Sequence, residues 1–259
     1  MDVTAGMHFK SASQRARVLT EYWARDNLYC AACTSSHLLP CPPNTQAVDF
    51  TCPECDACYQ LKSQSCNFGM RIVDAGYAAM CRAILSDRVP NLVLLHYEKQ
   101  SWTVQNSLLV PSFAFSLSAI EQRKPLAPTA RRAGWVGCNI LLGKVPPDLR
   151  IPLVERSVSS SASEVRDRYQ MMSNLKNIGV SARGWLLDVL GIVRSLDQTE
   201  FRLADVYAHE NTLHDAHPRN LNIRPKIRQQ LQKLRDLGIV QFLGDGRYRS
   251  LGVPTRNGV

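Results

Sequence analysis

Four cysteines in the first quarter of the chain have the spacing of a metal site. They form two C-x-x-C pairs, separated by eighteen residues, at Cys30, Cys33, Cys52 and Cys55. Each pair can present two thiolates to one tetrahedral zinc ion, as in a zinc ribbon or knuckle. A shifted register that uses Cys58 is also available, but the first pairing leaves Cys58 on the strand that follows. Because four thiolates fill the coordination sphere, we expect a structural zinc ion.

The second cysteine pair lies inside a predicted hairpin that carries residues suited to a second metal. Residues 48–51 are predicted as a short strand and residues 57–62 as the returning strand. Asp49 lies on the first strand, and Gln60 and Lys62 lie on the second. Residues two apart on a strand point to the same side. The resulting order, D…(E/Q)-x-K, is typical of metal-dependent nucleases.

These residues suit phosphodiester hydrolysis, which needs a divalent cation and a nucleophilic water. Asp49 would bind Mg²⁺ through a carboxylate oxygen, with Gln60 and the backbone carbonyl of Leu61 as further ligands. Lys62 would hold or deprotonate the attacking water, or stabilise the transition state. Asp and Lys are common residues, so the pattern alone is a weak indication of activity.

Composition limits the class of protein. A chain of 259 residues with 45% apolar content makes one large domain or two modest ones. The net charge of +9 favours a polyanionic partner, of which nucleic acid is the commonest. We expect a cytoplasmic protein without membrane association, since the sequence has neither a secretory signal nor a long apolar run. Metal-bound or reduced cysteines fit that compartment.

The part of the chain before residue 180 is predicted as a mixed α/β domain. Glu21, on the first predicted helix, either is exposed or approaches the metal site. Helices are predicted at residues 11–25, 74–85 and 164–177, and strands at 91–97 and 102–111 beside the hairpin.

A segment at residues 122–135 has four basic residues, no acid and two stiffening prolines. It is either a surface loop with solvated charges or a preordered loop that contacts DNA phosphates. Trp135 at its end either presents a flat ring to a base or groove, or belongs to the core. The four basic residues are Arg123, Lys124, Arg131 and Arg132.

The last part of the chain is predicted as a winged helix that follows a junction at residues 179–184. Helices are predicted at residues 185–196, 201–209 and 225–237, and strands at 239–243 and 247–251. The domain either binds another protein or binds DNA, and its basic helix and wing favour DNA. Predicted major-groove contacts are Arg228, Gln229, Gln232 and Lys233, and predicted phosphate contacts are Arg224, Arg247 and Arg249.

Several segments of the sequence resemble the DpnI-like methyl-directed Type II restriction endonucleases. They include SQRARVLTE-W at residues 13–23, the D-F-x-C-x-x-C hairpin, QRKPLAPTARRAGWVGCNI at 122–140 and IRQQLQKLRD at 227–236. The resemblance covers nearly the whole chain and preserves the order of the motifs. The long loop segment is the most specific of them.

This resemblance implies an enzyme that cuts duplex DNA at G-A-T-C only when the adenine carries an N6-methyl group. It implies a PD-(D/E)xK nuclease domain with a zinc site, at residues 1–180, and a winged helix at residues 181–259 that also senses the methylated target. Mapping by motif makes Asp49, Gln60 and Lys62 the catalytic residues, and Trp135 a reader of methyladenine. We expect Mg²⁺ as the catalytic cation and a monomer in solution.

The sequence departs from the family pattern at Gln60, where the family has glutamate. An amide oxygen is a neutral and weaker ligand for a hard cation than a carboxylate. We therefore expect lowered Mg²⁺ affinity, and Gln60→Glu should reduce the metal needed for cleavage. The departure keeps open a non-catalytic zinc-ribbon and winged-helix regulator, and a methylation-independent or repair nuclease is a third interpretation.

Overall fold

The computed structural model describes residues 1–42, 45 and 47–252. The α-helices are α1 (Ala12–Asn27), α2 (Tyr77–Leu85), α3 (Ala162–Met171), α4 (Val180–Ser195), α5 (Leu203–Tyr207), α6 (Glu210–Ala216) and α7 (Ile223–Asp236). The strands are β1 (Leu39–Pro40), β2 (Phe50–Thr51), β3 (Cys58–Gln64), β4 (Arg71–Gly76), β5 (Asn91–Tyr97), β6 (Val104–Val110), β7 (Ile120–Gln122), β8 (Gly137–Leu141), β9 (Ile151–Glu155), β10 (Val158–Ser159), β11 (Glu200–Arg202), β12 (Val240–Gly244) and β13 (Arg247–Ser250). Short 3-10 helices lie at Val3–Gly6, Ser112–Ala114, Leu117–Ala119, Leu142–Lys144, Pro147–Leu149 and Ser173–Asn177.

The largest sheet has seven strands in the order β1-β2-β3-β5-β6-β9-β10. The pair β3–β5 is parallel and the other neighbours are antiparallel. A parallel pair needs a crossover, which β4 and α2 supply. Strand β5 is buried on both faces, with only His96 partly accessible, as its continuous apolar sequence predicted. The predicted mixed α/β fold is confirmed.

A second, three-stranded antiparallel sheet has the order β4-β8-β7. The helix predicted at residues 74–85 is wrong at its start, because residues 71–76 form β4 and the helix begins at Tyr77. The β-branched pair Ile72 and Val73 favours a strand, and pairing with β8 outweighs the helix propensity of the alanines that follow. Asp74 therefore lies on a strand.

The C-terminal helix-turn-helix domain has α4 to α7 and a small sheet in the order β11-β13-β12. The helix predicted at residues 201–209 is wrong at its start, since β11 pairs with β13 before α5 begins. Helix α6 was not predicted. Helix α7 buries Ile227, Leu231 and Leu234, as its periodicity predicted, and it ends before Gly238, whose φ is +71°.

The junction predicted at residues 179–184 lies mostly inside a helix, because α4 runs without interruption from Val180. The division into residues 1–180 and 181–259 stays a prediction, and residues 253–259 lie outside the described part of the chain. Across the described ranges, no helix combines the length and apolar character needed to cross a membrane.

A buried ion pair joins α4 to the short 3-10 helix Pro147–Leu149, which precedes β9. The guanidinium of Arg194 donates from Nε and Nη2 to the two carboxylate oxygens of Asp148, at 2.9 and 2.6 Å. The Asp148 side chain is 2% exposed and that of Arg194 is 12% exposed. A bidentate pair of this kind is directional as well as strong. It holds the helix-turn-helix domain against the larger sheet.

Asp148→Ala should lower the free energy of unfolding by about 3–5 kcal/mol, because it leaves a nearly buried guanidinium without a counter-charge, with only the Ser250 hydroxyl and the Leu251 carbonyl as acceptors. The matched control is Asp236→Ala, which removes the partner of Arg235 where both side chains are about half exposed. We expect that control to change stability by less than about 1 kcal/mol. Urea unfolding curves measure both variants, and equal effects would contradict the structural role of the buried pair.

Candidate functional site

The four predicted cysteine ligands converge. Their sulfurs all lie within 4.8 Å of one another. The separations are 3.6 Å for Cys30 and Cys55 and 3.5 Å for Cys33 and Cys52. A tetrahedral zinc ion with bonds of about 2.3 Å places its sulfurs about 3.8 Å apart, so the cluster has the right size. Cys58 is not part of this cluster, which favours the first of the two predicted registers.

The cysteine cluster joins three parts of the fold. Cys30 follows α1, and Cys52 and Cys55 bound the turn between β2 and β3. The side chain of Arg166, on α3, donates to the backbone carbonyls of Cys30 and Ser35, at 3.0 and 2.8 Å. A bound ion would therefore brace the hairpin against two helices. The cluster indicates a structural zinc site.

Cys30→Ser should abolish stoichiometric zinc binding and lower the melting temperature, because the folding energy of such a site depends on the metal. Cys66→Ser is the matched control, since Cys66 is exposed and lies outside the cluster. Zinc content by atomic absorption and thermal unfolding measure both. Full zinc content in Cys30→Ser would exclude the four-cysteine site.

The hairpin that follows the cysteines holds Asp49 against the β3 backbone. The amide of Asp49 donates to the carbonyl of Tyr59 at 2.8 Å, and the amide of Leu61 donates to Asp49 Oδ2 at 2.7 Å. The N–H and C=O of one strand residue point to the same edge. The Leu61 carbonyl therefore faces the side on which Asp49 lies. This direction is required if the carbonyl and the Asp49 carboxylate are to bind the same cation.

Gln60 and Lys62 meet at a third residue that the sequence analysis did not identify. Lys62 Nζ lies 2.7 Å from Asp74 Oδ1, and Gln60 Nε2 lies 3.4 Å from the same oxygen. The two side chains therefore point to one side of β3, as their spacing predicted. Asp74 adds a second carboxylate to the group formed by Asp49, Gln60 and Lys62.

The position of Asp74 depends on an irregularity in β4. Val73 pairs with Asn139 and Gly76 pairs with Gly137, so β4 has one more residue than β8 between these pairs. Such a bulge redirects a side chain and occurs often beside active sites. The signal in the sequence was an acid two residues after Ile72, on the buried face of a β-branched segment.

Asp49 lies at a cleft between the hairpin and α1, which also lines it with Arg17 and Glu21. Burial raises the pKa of the Asp49 carboxyl, and the negative charge of Glu21 adds to the rise. The Leu61 amide is the main opposing influence, with smaller contributions from Arg17 and Lys62. Glu21 lines the same cleft as Asp49, which favours the second of the two predictions for it, an approach to the proposed metal site. A cation bound here would relieve the repulsion between the carboxylates.

The basic segment connects β7 to β8 as an extended hairpin loop. The Arg123 amide donates to the Gly137 carbonyl at 3.0 Å, and the Leu126 amide donates to the Trp135 carbonyl at 2.9 Å. These bonds give the loop order before any ligand binds. All four of its basic side chains are exposed: Arg123, Lys124, Arg131 and Arg132.

Trp135 is half-buried, which places it between the two predictions for it. A β-carbon added to Gly137 would lie 2.9 Å from its ring, and one added to Gly76 would lie 3.5 Å from its Nε1. The two glycines are paired across β4 and β8, so they leave room for the indole. Arg132 lies over the ring, 4.7 Å from its centroid. Gly76 is two residues from Asp74, so the ring lies next to β4, the strand that carries Asp74.

Most of the predicted contact residues of the winged helix are on its surface. The exposed ones are Arg224, Arg228, Gln229, Gln232, Arg247 and Arg249, and Lys233 is half-buried. Three of the arginines have partners within the domain. Arg224 donates to Glu210 at 2.8 Å, Arg228 to the Tyr207 hydroxyl at 2.7 Å, and Arg249 to Glu200 at 2.8 Å. These contacts hold the guanidinium groups in place on the exposed side.

The mixed sheet, the four-cysteine cluster and the C-terminal helix-turn-helix domain indicate a DNA-binding protein with a structural metal site. The Dam-replacing family, DpnI, matches residues 1–178, and the Dam-replacing helix-turn-helix domain matches residues 181–250. The chain belongs to the DpnI family, which is a family of restriction endonucleases. Membership implies DNA as the substrate and a divalent metal for the reaction.

Proposed function

We propose that this protein is a methyl-directed endonuclease that cuts duplex DNA at G-A-T-C sites whose adenine carries an N6-methyl group. The observation that carries the proposal is the arrangement of Asp49, Gln60 and Lys62 around Leu61 in a chain of the DpnI family. The nuclease part is residues 1–180 and the winged helix residues 181–259. The protein acts on DNA as a monomer in solution.

The donor set around Leu61 fits a hard divalent cation such as Mg²⁺. It offers the carboxylate of Asp49, the backbone carbonyl of Leu61 and the amide of Gln60, all of them oxygen donors. When bound, such a cation stabilises charge on the transferring phosphoryl group and lowers the pKa of a bound water. Lys62 is held by Asp74 as an ammonium, which suits it to orient the attacking water and to stabilise the negative transition state.

Recognition of the methylated base is proposed for Trp135 and the basic loop. A half-buried indole ring can contact an N6-methyl group by apolar packing, while the four basic side chains contact phosphates. Helix α7 supplies a second contact surface through Arg228, Gln229, Gln232 and Lys233. Arginine and glutamine can bond to guanine and adenine edges, respectively. Arg224, Arg247 and Arg249 position the domain on the backbone.

A non-catalytic DNA-binding regulator is the second candidate, and Gln60 is the observation that favours it. Without the family's glutamate, the donor set has less negative charge for a cation. This candidate predicts DNA binding without cleavage at any concentration of Mg²⁺.

Incubation with Mg²⁺ and a plasmid whose G-A-T-C sites carry N6-methyladenine should give discrete fragments, and the unmethylated plasmid should stay intact. Asp49→Asn should bind the methylated plasmid but reduce cleavage by about a thousandfold, since it removes a proposed metal ligand. Gel electrophoresis and a binding assay in Ca²⁺ measure the two properties. Binding of both plasmids without cleavage would support the regulator, and cleavage of both would indicate a methylation-independent nuclease.

Gly137→Ala tests the role of Trp135 without altering its side chain. The added methyl group would lie 2.9 Å from the ring, so the indole must move. We expect the preference for methylated DNA to fall by about tenfold, which corresponds to about 1.4 kcal/mol. Gly69→Ala is the control, because a β-carbon there would have open space around it. Competition cleavage of methylated and unmethylated duplexes measures the ratio, and an unchanged ratio would argue against Trp135 as the reader.

A further inference from the structure

We propose that Asp74 is a ligand of the catalytic cation, so that β4 supplies the carboxylate that Gln60 lacks. This inference rests on the proposed nuclease function and deepens it. In the family, the second acid of the metal site is the glutamate at the position of Gln60, on β3. Here the second acid would be Asp74, on β4 of the three-stranded sheet.

The first support is position. Asp74 Oδ1 lies 2.7 Å from Lys62 Nζ and 3.4 Å from Gln60 Nε2, so it is in contact with two of the three proposed catalytic side chains. The Asp74 side chain is 3% exposed, and its contacts are with the metal-site strand rather than with solvent. The carboxylate is therefore part of the same cluster.

The second support is the free-energy cost of burying the Asp74 carboxylate. A buried carboxylate destabilises the fold unless charges or hydrogen bonds compensate for it, and one ion pair often does not compensate fully. The same face of β4 buries Ile72 two residues earlier, so an apolar residue would suit position 74 by packing alone. The bulge between Val73 and Gly76 directs the acid towards Lys62. A cation shared with Asp49 would explain why this position carries an acid.

The third support is the chemistry of Gln60. A carboxylate only accepts hydrogen bonds, so the Gln60 atom facing Asp74 is the amide nitrogen, and its oxygen remains for a cation. Glutamate at position 60 would place a second negative charge against Asp74. Mg²⁺ is commonly bound through one or two carboxylates together with waters. Asp49 and Asp74 supply such a pair, and the neutral Gln60 lies beside Asp74 without repulsion.

The ion pair between Asp74 and Lys62 does not prevent Asp74 from binding a cation. A carboxylate has two oxygens and several lone pairs, and can therefore accept from an ammonium and bind a cation together. In this arrangement Asp74 connects Lys62 to the cation. The alternative is that Asp74 only orients Lys62, in which case its removal would impair cleavage and leave cation affinity unchanged.

Isothermal titration calorimetry with Mn²⁺ and the zinc-loaded protein, without DNA, distinguishes a cation ligand from a residue that only orients Lys62. Asp74→Asn should weaken Mn²⁺ binding by about tenfold or more, and the double variant Gln60→Glu/Asp74→Asn should recover most of the loss, because the charge returns to the site. Asp167→Asn, at an exposed position of α3, is the matched control and should bind as the wild type does. Unchanged affinity in Asp74→Asn, whatever happens to cleavage, would overturn the proposal.

A second pair of variants excludes effects transmitted through Lys62. In the Lys62→Met background Asp74 has no ammonium partner, so Mn²⁺ should raise the melting temperature. In Lys62→Met/Asp74→Asn this stabilisation should be lost. Equal stabilisation of the two variants would count against Asp74 as a ligand, even where Asp74→Asn alone does not fold.

Asp49→Asn separates failure of this inference from failure of the proposed function. Loss of Mn²⁺ binding and cleavage in Asp49→Asn, with neither lost in Asp74→Asn, would overturn the role of Asp74 alone. Full binding and cleavage in Asp49→Asn would overturn the metal site itself.

Discussion

The hydrogen bond from the Leu61 amide to Asp49 Oδ2 fixes the geometry on which the rest of the site depends. It takes the place of a backbone pairing just before β2 begins, and it holds a carboxylate beside the edge of β3. The side chains of Gln60 and Lys62 then point to one side of that strand. A zinc ion at the turn of the same hairpin would prevent the two strands from separating. One metal would thus stabilise the frame in which the other is bound.

Charge at this site comes from three different parts of the fold. Asp49 belongs to the hairpin, Glu21 to α1 and Asp74 to the second sheet. Grouping acids in a partly buried place is unfavourable by itself, and the positive charges of Arg17 and Lys62 oppose the repulsion at Asp49. Such a group of carboxylates would be stabilised further by a bound divalent cation.

The three-stranded sheet connects the proposed metal site to the proposed reader of the methylated base. Strand β4 carries Asp74, and its neighbour β8 begins at Gly137, beneath the ring of Trp135. Gly76 and Gly137, paired across the two strands, leave the space that the indole needs. A displaced Trp135 would therefore change the surroundings of the strand that holds Asp74. In this proposal, base recognition and hydrolysis would share one small structural unit.

The sequence by itself determined the features that depend on local spacing. Cysteine spacing predicted the four-cysteine cluster, the alternation of Gln60 and Lys62 predicted their common direction, and periodicity predicted the buried face of α7. Tertiary structure alone decided the place of Asp74. The residues that follow it have a helical composition, and Asp74 lies on a strand because its segment pairs with β8, more than sixty residues further along the chain. Strand β11 was missed for the same reason, since its partner β13 is also distant. Pairing between remote segments overrides local propensity, and its register is not readable from either segment alone.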